Sequence, residues 1–202
     1  MKTWTYNLME HTIPVHVDRV WWIAQVAKAM RYVERASGEA VRFLHRGAMN
    51  HAEAAGMADH VNIGFDDLGN TDRVIGQQSK WNGVKSIAFD PSVKWAKNWF
   101  QRFILGRDDL YTIAVHELGH LLGLPHNESL GERSVMESNP VFAEFSLTEI
   151  AQLKRLSVLA VAMMVSGCVG YTVAPSLSFA NEKGQSITAG VVIIKPDKHS
   201  NK

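Results

Sequence analysis

His116, Glu117, His120, Gly123 and His126 stand in one unbroken string, HELGHLLGLPH. Three imidazoles and one carboxylate at these spacings are the donor set of a hydrolytic metal site. A helix turns about 100° per residue, so His116 and His120, at i and i+4, leave the same face one turn apart. Two imidazoles placed so can hold one Zn²⁺ at roughly 2.0–2.1 Å from each nitrogen. Glu117 reaches the neighbourhood of the metal without having to bind it, which suits a general base for a metal-activated water. Gly123 can take the positive φ that ends a helix and reverses the chain. Leu124-Pro125 then carries the backbone round, so His126 approaches from another side. Three protein ligands leave the fourth position to water, the mark of a catalytic rather than a structural zinc. An HExxH string alone arises by chance on many amphipathic helices. The added glycine and third histidine make coincidence a poor account.

Ligands so placed need rigid backing. Asp108 and Asp109 precede the string and are suited to cap the free N–H groups of its helix. Ile113, Ala114, Leu118, Leu121 and Leu122 give that helix broad apolar cover. Asp18 to Ser37 reads as a long helix, with Val20, Trp21, Ile23, Ala24, Ala27, Met30 and Val33 near helical spacing and Gly38 as its stop. Trp21 and Trp22 read as core rather than as a ligand cage. Residues 3–8, Val41 to Leu44, Val61 to Phe65 and Val84 to Phe89 read as strands. Ser146-Leu147-Thr148-Glu149 is a capping box that starts a last helix.

The extended string resembles the metzincin motif HExxHxxGxxH. Ser134-Val135-Met136 follows it after a short gap like that of matrixins, the matrix-metalloproteinase branch. Other stretches agree in order. Trp4-Thr5-Tyr6 is similar to the first matrixin strand. Ala58 to Phe65 is similar to a central strand, and Phe89-Asp90 with Trp95 to the FDxDExW segment. Leu110 to Leu124 resembles the active-site helix and its exit, and Phe145 to Leu156 the closing helix.

The resemblance implies an α/β (α+β), zincin-like catalytic domain over residues 1–156. Its parts would be a twisted mixed β-sheet, a long N-terminal helix, an active-site helix and a C-terminal helix. It implies a zinc metalloendopeptidase with one catalytic Zn²⁺ on His116, His120 and His126 and with Glu117 as general base. Met136 would be the Met-turn residue beneath the ligands, not a ligand. The substrate would be a protein or peptide bound as an extended strand along an edge near Val74 to Gln77. Action outside the cell is implied as well. Some family positions differ. Ala88 stands where matrixins place a ligand histidine, and Ser92 and Val93 replace calcium ligands. No second zinc is therefore expected. Asp66-Asp67-Leu68-Gly69-Asn70 offers oxygens to Ca²⁺, but a solvated acidic turn is the simpler reading. Glu137-Ser138-Asn139-Pro140 replaces the family's Pro-x-Tyr wall.

Composition narrows the field further. The 202 residues are 46% apolar with a net charge of +1, which gives no case for nucleic acid and leaves the oligomeric state open. The one cysteine, Cys168, rules out an intramolecular disulfide. Met1 to Tyr6 lacks the apolar stretch of a signal peptide, and no latency-conferring pro-segment is expected before the domain. His45, His51 and His60 lack tight spacing; a metal role is open to them, but ordinary surface residues are the simpler reading. Residues 157–202 form an appendage of unknown role. Its apolar run Ser157 to Val165, ending Ser166-Gly167-Cys168, resembles a lipoprotein signal placed inside the chain. It is short for a membrane span, which needs ~20 residues. Three readings stay open: an extension of the closing helix, a membrane-contacting or lipid-modified segment through 157–168, or a translated remnant. Gly190 to Ile194 is strand-like. Two rival functions remain, a catalytically silent zinc-binding module and a membrane-tethered accessory protein.

Overall fold

A computed structural model describes residues 1–47, 54, 57–69, 75–81, 84–127, 133–155, 172–176 and 190–194. His51, Asn70, Val74 and the run from Ser157 to Cys168 lie outside these residues. The chain divides into two compact units, Met1–Leu156 and Ser157–Lys202.

The first unit is built on a mixed five-stranded sheet. Its strands are β1 (Lys2–Leu8), β2 (Val41–His45), β3 (His60–Phe65), β4 (Gly76–Trp81) and β5 (Val84–Phe89), in the order β2-β1-β3-β5-β4. β1 runs parallel to β2 and β3, and β3 parallel to β5. Parallel neighbours need a crossover, and α1 (Arg19–Ala36) supplies it between β1 and β2. β4 returns antiparallel to β5, with Gly76 opposite Phe89, and forms one edge of the sheet. Its sequence, GQQSKW, is polar, as an edge strand allows. β3 lies inside the sheet, and five of its six residues are buried.

α1 begins where the Asp18 carboxylate accepts the Trp21 N–H at 2.6 Å. Trp22, Val26, Ala29, Met30 and Val33 form its buried stripe, at helical spacing. The stripe is rotated from the one the sequence suggests, for Val20 is 76% exposed and Ala24 is also on the surface. The first turns are apolar on nearly every side, so periodicity alone does not fix the phase. Trp22 is fully buried, and Trp21 packs at the core's margin.

Two further helices precede the closing one. α2 (Trp99–Phe103) is short and was not evident from the sequence. α3 (Leu110–Leu121) carries the histidine string and is apolar on almost all sides, as a helix held inside a domain should be. It packs against α1 and β4. Residues 147–155 form the closing helix, α4. A chain of rings crosses the core: Trp22 to Phe65 at 5.6 Å, Phe65 to Phe89 at 5.9 Å, and Phe89 edge-on to Trp95 at 6.0 Å. The Phe89, Asp90 and Trp95 positions are therefore structural. Asp90 itself accepts the N–H and hydroxyl of Ser92 at 2.7 and 2.5 Å.

In the second unit, β6 (Thr172–Ser176) pairs antiparallel with β7 (Gly190–Ile194), Thr172 opposite Ile194. The sequence suggested β7. It did not suggest its partner, which contains Pro175.

Candidate metal and catalytic site

The site is built on the second half of α3 and the turn that follows. Asp109 starts the helix by accepting from Thr112, its N–H at 3.2 Å and its hydroxyl at 2.7 Å. After Leu121 the helix closes in a Schellman arrangement. The Leu124 N–H reaches back to the Gly119 carbonyl at 3.0 Å, and the Gly123 N–H to the His120 carbonyl at 2.9 Å. Gly123 takes φ +91°, a conformation that side-chained residues avoid. That reversal brings His126 back over the helix.

The three imidazoles converge. Their Nε2 atoms form a triangle: 3.0 Å from His116 to His120, 3.1 Å from His120 to His126, and 3.3 Å from His126 to His116. These contacts are not hydrogen bonds. His116 Nδ1 lies 2.7 Å from the Val135 carbonyl, and His120 Nδ1 lies 2.8 Å from the Leu124 carbonyl. A carbonyl only accepts, so each Nδ1 carries the proton and each Nε2 is left with a bare lone pair. Lone pairs facing one another at 3 Å repel unless a cation lies between them. Two nitrogens each about 2.05 Å from a tetrahedral ion lie about 3.3 Å apart, close to the spacing observed. The donor set therefore fits a zinc-sized ion. Among the described residues, these three are the group of metal-ligating side chains that gathers in this way.

Electrostatics agree with the geometry. Burial pushes His116 down to about 4, against the pull of its bond to Val135 and with help from the other two imidazoles. Burial lowers His120 as well, opposed by its bond to Leu124. Both rings are therefore neutral near pH 7, the state in which imidazole binds a metal. Glu117 is 4% exposed, and burial raises it to about 7 despite a bond from the Gln78 backbone N–H. It lies against β4 at Gly76. A Cβ at Gly76 would stand 2.5 Å from Ile113 Cγ2 and 3.2 Å from Glu117 Oε1, so only glycine fits this crossing.

Below the histidines lies the turn Ser134-Val135-Met136, each residue fully buried. Met136 packs against Gly119, where a Cβ would overlap its sulfur. The turn is tied down at several points. The Asn127 N–H donates to the Met136 carbonyl at 2.8 Å, and the Val135 N–H to the Glu144 carbonyl at 2.7 Å. The Ser134 hydroxyl donates to Glu149, with its oxygen 2.6 and 2.8 Å from the two carboxylate oxygens.

A family model described as Matrixin, of the M10 peptidases, matches residues 2–150. The chain belongs to the matrixin family. No curated protein matches it.

This matrixin brings together the three histidines that its sequence singled out, with Met136 against Gly119 of the same helix and Glu117, next to His116 in the chain, against Gly76 of β4. The other histidines do not join them. His60 is buried in β3, where it bonds to Thr5 Oγ1 at 2.9 Å and Asn62 Oδ1 at 3.2 Å, and His45 packs on Tyr6 at 5.1 Å. Asp67 accepts the Gly69 N–H at 3.0 Å and makes an ordinary acidic turn. Sequence reasoning missed two supports. Gly76 lies in a strand with no apolar alternation to mark its role. Glu149 was evident only as a helix cap.

Proposed function

We propose that this chain is an endopeptidase that works with one zinc ion held by His116, His120 and His126. The observation that carries the reading is the convergence of three Nε2 atoms, two of them left bare by carbonyls that fix the far side of their rings. Zinc bound there would supply a Lewis acid for the scissile carbonyl and a more acidic water for the attack. Glu117 takes the proton from the attacking water and returns it to the leaving amine. A carboxylate whose affinity for protons is raised towards neutrality suits both halves of that task. Met136 supports the ligand rings and does not bind the ion.

The substrate is a protein segment in extended form. β4 offers it an edge, and an added antiparallel strand would lay the scissile bond alongside Glu117. Catalysis belongs to residues 1–156, with residues 157–202 as an appendage. Membership of the family supports action outside the cell. Among the described residues no helix is long and apolar enough to cross a membrane.

The test joins metal analysis with cleavage-site profiling on a peptide library. The expected result is one zinc per chain and chelator-sensitive cleavage. Glu117→Ala should keep the zinc and lose cleavage by roughly 10²–10⁴-fold. Unchanged turnover with unchanged zinc would overturn the role of Glu117. His120→Ala should lose the zinc, and full metal content in that variant would overturn the ligand set. A chain that binds zinc but cleaves nothing in the library would be the silent module.

A further inference from the structure

α2 buries none of its residues, although it is rich in large apolar side chains. Trp99 is 68% exposed and Phe103 63%, and the two residues after the helix, Ile104 and Leu105, stand equally open. Phe100 leans edge-on against Trp99 at 6.2 Å, so the two rings support each other rather than the core. Val141 and Phe142 extend the patch, since the Arg102 guanidinium donates to the Val141 carbonyl.

These side chains are held outwards by a closed set of bonds. Asn98 caps the helix by accepting the Gln101 N–H at 3.0 Å. Gln101 Oε1 accepts the Lys97 N–H at 2.7 Å, and its carbonyl accepts the Arg107 N–H at 3.1 Å. The Ala96 N–H donates to the Asp108 carbonyl at 2.8 Å, closing the base of the loop. Arg102 meets the Asp109 carboxylate at 2.8 Å, and Asp109 is also the cap of α3. A loop stapled in this way to the active-site helix is a presented surface.

Its charge is predominantly positive, with Asp108 at its base and Asp109 paired to Arg102. From Pro91 to Arg107 the chain carries Lys94, Lys97, Arg102 and Arg107 and no Asp or Glu. Lys94 and Lys97 are exposed. Tryptophan and phenylalanine set among cations match the boundary between water and anionic lipid, where the rings enter the headgroup layer and the cations meet phosphates. A second copy of the chain would bring the same cations against this one, and like charges oppose such pairing.

We propose that the α2 loop docks this protein on an anionic lipid surface. Trp99, Phe100, Phe103 and Ile104 enter the headgroup layer, and Lys94 and Lys97 hold the phosphates. The anchor sits at the start of α3. His116 and His120 lie further along that helix, roughly 10 and 16 Å down its axis from Asp109, so docking leaves the histidines clear of the anchor.

The test is flotation of the full chain with vesicles of phosphatidylcholine, with and without phosphatidylglycerol. The chain should float with the anionic vesicles and not with the neutral ones, and added salt should weaken binding. Trp99→Asp combined with Phe103→Asp should weaken it by roughly tenfold or more. Both positions are exposed, so the doubly substituted chain should keep the parent melting curve. Trp99→Phe should still float, but with a smaller blue shift of tryptophan emission on vesicle addition. Three results would overturn the proposal. The chain could stay unbound with anionic vesicles. It could float equally well with both substitutions, which would assign lipid contact elsewhere, such as the run Ser157 to Val165. It could form a dimer that the substitutions abolish, without lipid binding, which would make the patch an interface between copies. None of these readouts uses peptide cleavage, so they leave the proposed protease activity untouched.

Discussion

Glu117 carries a stability signature set by its burial. Its affinity for protons is raised from 4.5 to about 7 in the folded, metal-free protein, chiefly by burial. The fold therefore favours the protonated form. The contribution is fully present below 4.5, the unfolded value, and is lost as pH rises through about 7. A shift of this size corresponds to about 3 kcal/mol. Metal-free Glu117→Gln should thus be more stable than its metal-free parent at pH 8 by up to about 3 kcal/mol, and equal to it below pH ~4.5. Urea melts across that range measure the difference, and a gap that fails to close in acid would contradict the assignment. Glu149 matters through its hydrogen bonds. It is buried, and it accepts from the Ser134 hydroxyl, from the Asn127 amide at 3.1 Å and from the Ser146 N–H at 2.8 Å. Glu149→Ala strands these donors and frees the turn whose Val135 carbonyl holds His116. The expected cost is about 2–4 kcal/mol, with zinc affinity down roughly 10–100-fold by chelator competition. Zinc affinity equal to the parent's would show that the turn holds without it. Here the sequence was legible only in part. The capping box of Ser146 and Glu149 forms as its spacing indicated, with the Glu149 N–H 3.3 Å from Ser146 Oγ. The same carboxylate's reach to Ser134, fifteen residues back, is a tertiary contact that no local pattern encodes.

Among the elements, what the sequence disclosed depended on how much apolar surface each one buries. β3 and β5 read clearly because most of their buried residues are apolar, β1 because Trp4 and Tyr6 alternate with polar neighbours, and α3 because its ligands, caps and glycine stop lie within one string. α1 was legible in extent but not in phase, since its first turns offer apolar residues in every direction. β4 was foreseen near Val74 to Gln77, yet it runs from Gly76 to Trp81, because a polar edge strand has no alternation to mark its ends. α2 stayed hidden for a similar reason: a helix that buries none of its residues leaves no stripe. The two crossings of α3 at the site each rest on a glycine. At Gly119 a Cβ would overlap Met136 Sδ and stand 3.2 Å from Phe145 Cε1, in a core with no spare room. Gly119→Ala should cost about 1–3 kcal/mol by overpacking and loosen the floor beneath the ligands. A drop in melting temperature with weaker zinc retention is the expected reading, and a variant with parent-like values in both would mean that Met136 moves aside freely. Gly76→Ala acts on the other crossing. Ile113 Cγ2 is fixed close to its backbone, so β4 itself must shift away from α3. Cleavage of peptides should then fall more than zinc affinity does, because the strand moves and the histidines do not. An equal fall in both would place the damage at the histidines.

For the molecule as a whole, the metal and the fold should behave as one system. The core cluster runs from Trp4 to Leu153, and every residue assigned to the metal and to proton transfer lies inside that span. The ligands converge only when α3, its glycine exit and the turn at Val135 are all in place, so the unfolded chain has no comparable site. A ligand that binds only the folded state adds RT ln(1 + [L]/Kd) to stability, or about 3–4 kcal/mol at 100 to 1,000 times Kd. For a unit of this size that is a rise in Tm of roughly 6–16 °C. Chelation should remove this increment, and added zinc should restore it. The division of the chain at Leu156 sharpens the expectation. If residues 157–202 contribute nothing to the core or the site, a chain ending at Leu156 should show the same zinc-dependent shift in Tm as the full chain. It should also cleave soluble peptides at the same rate. A truncated chain that melts without a zinc response, or that binds zinc but has lost cleavage, would show that the second unit completes the first. Equal shifts and equal rates would confine the catalytic apparatus to the unit that holds His116, Glu117, His120 and His126.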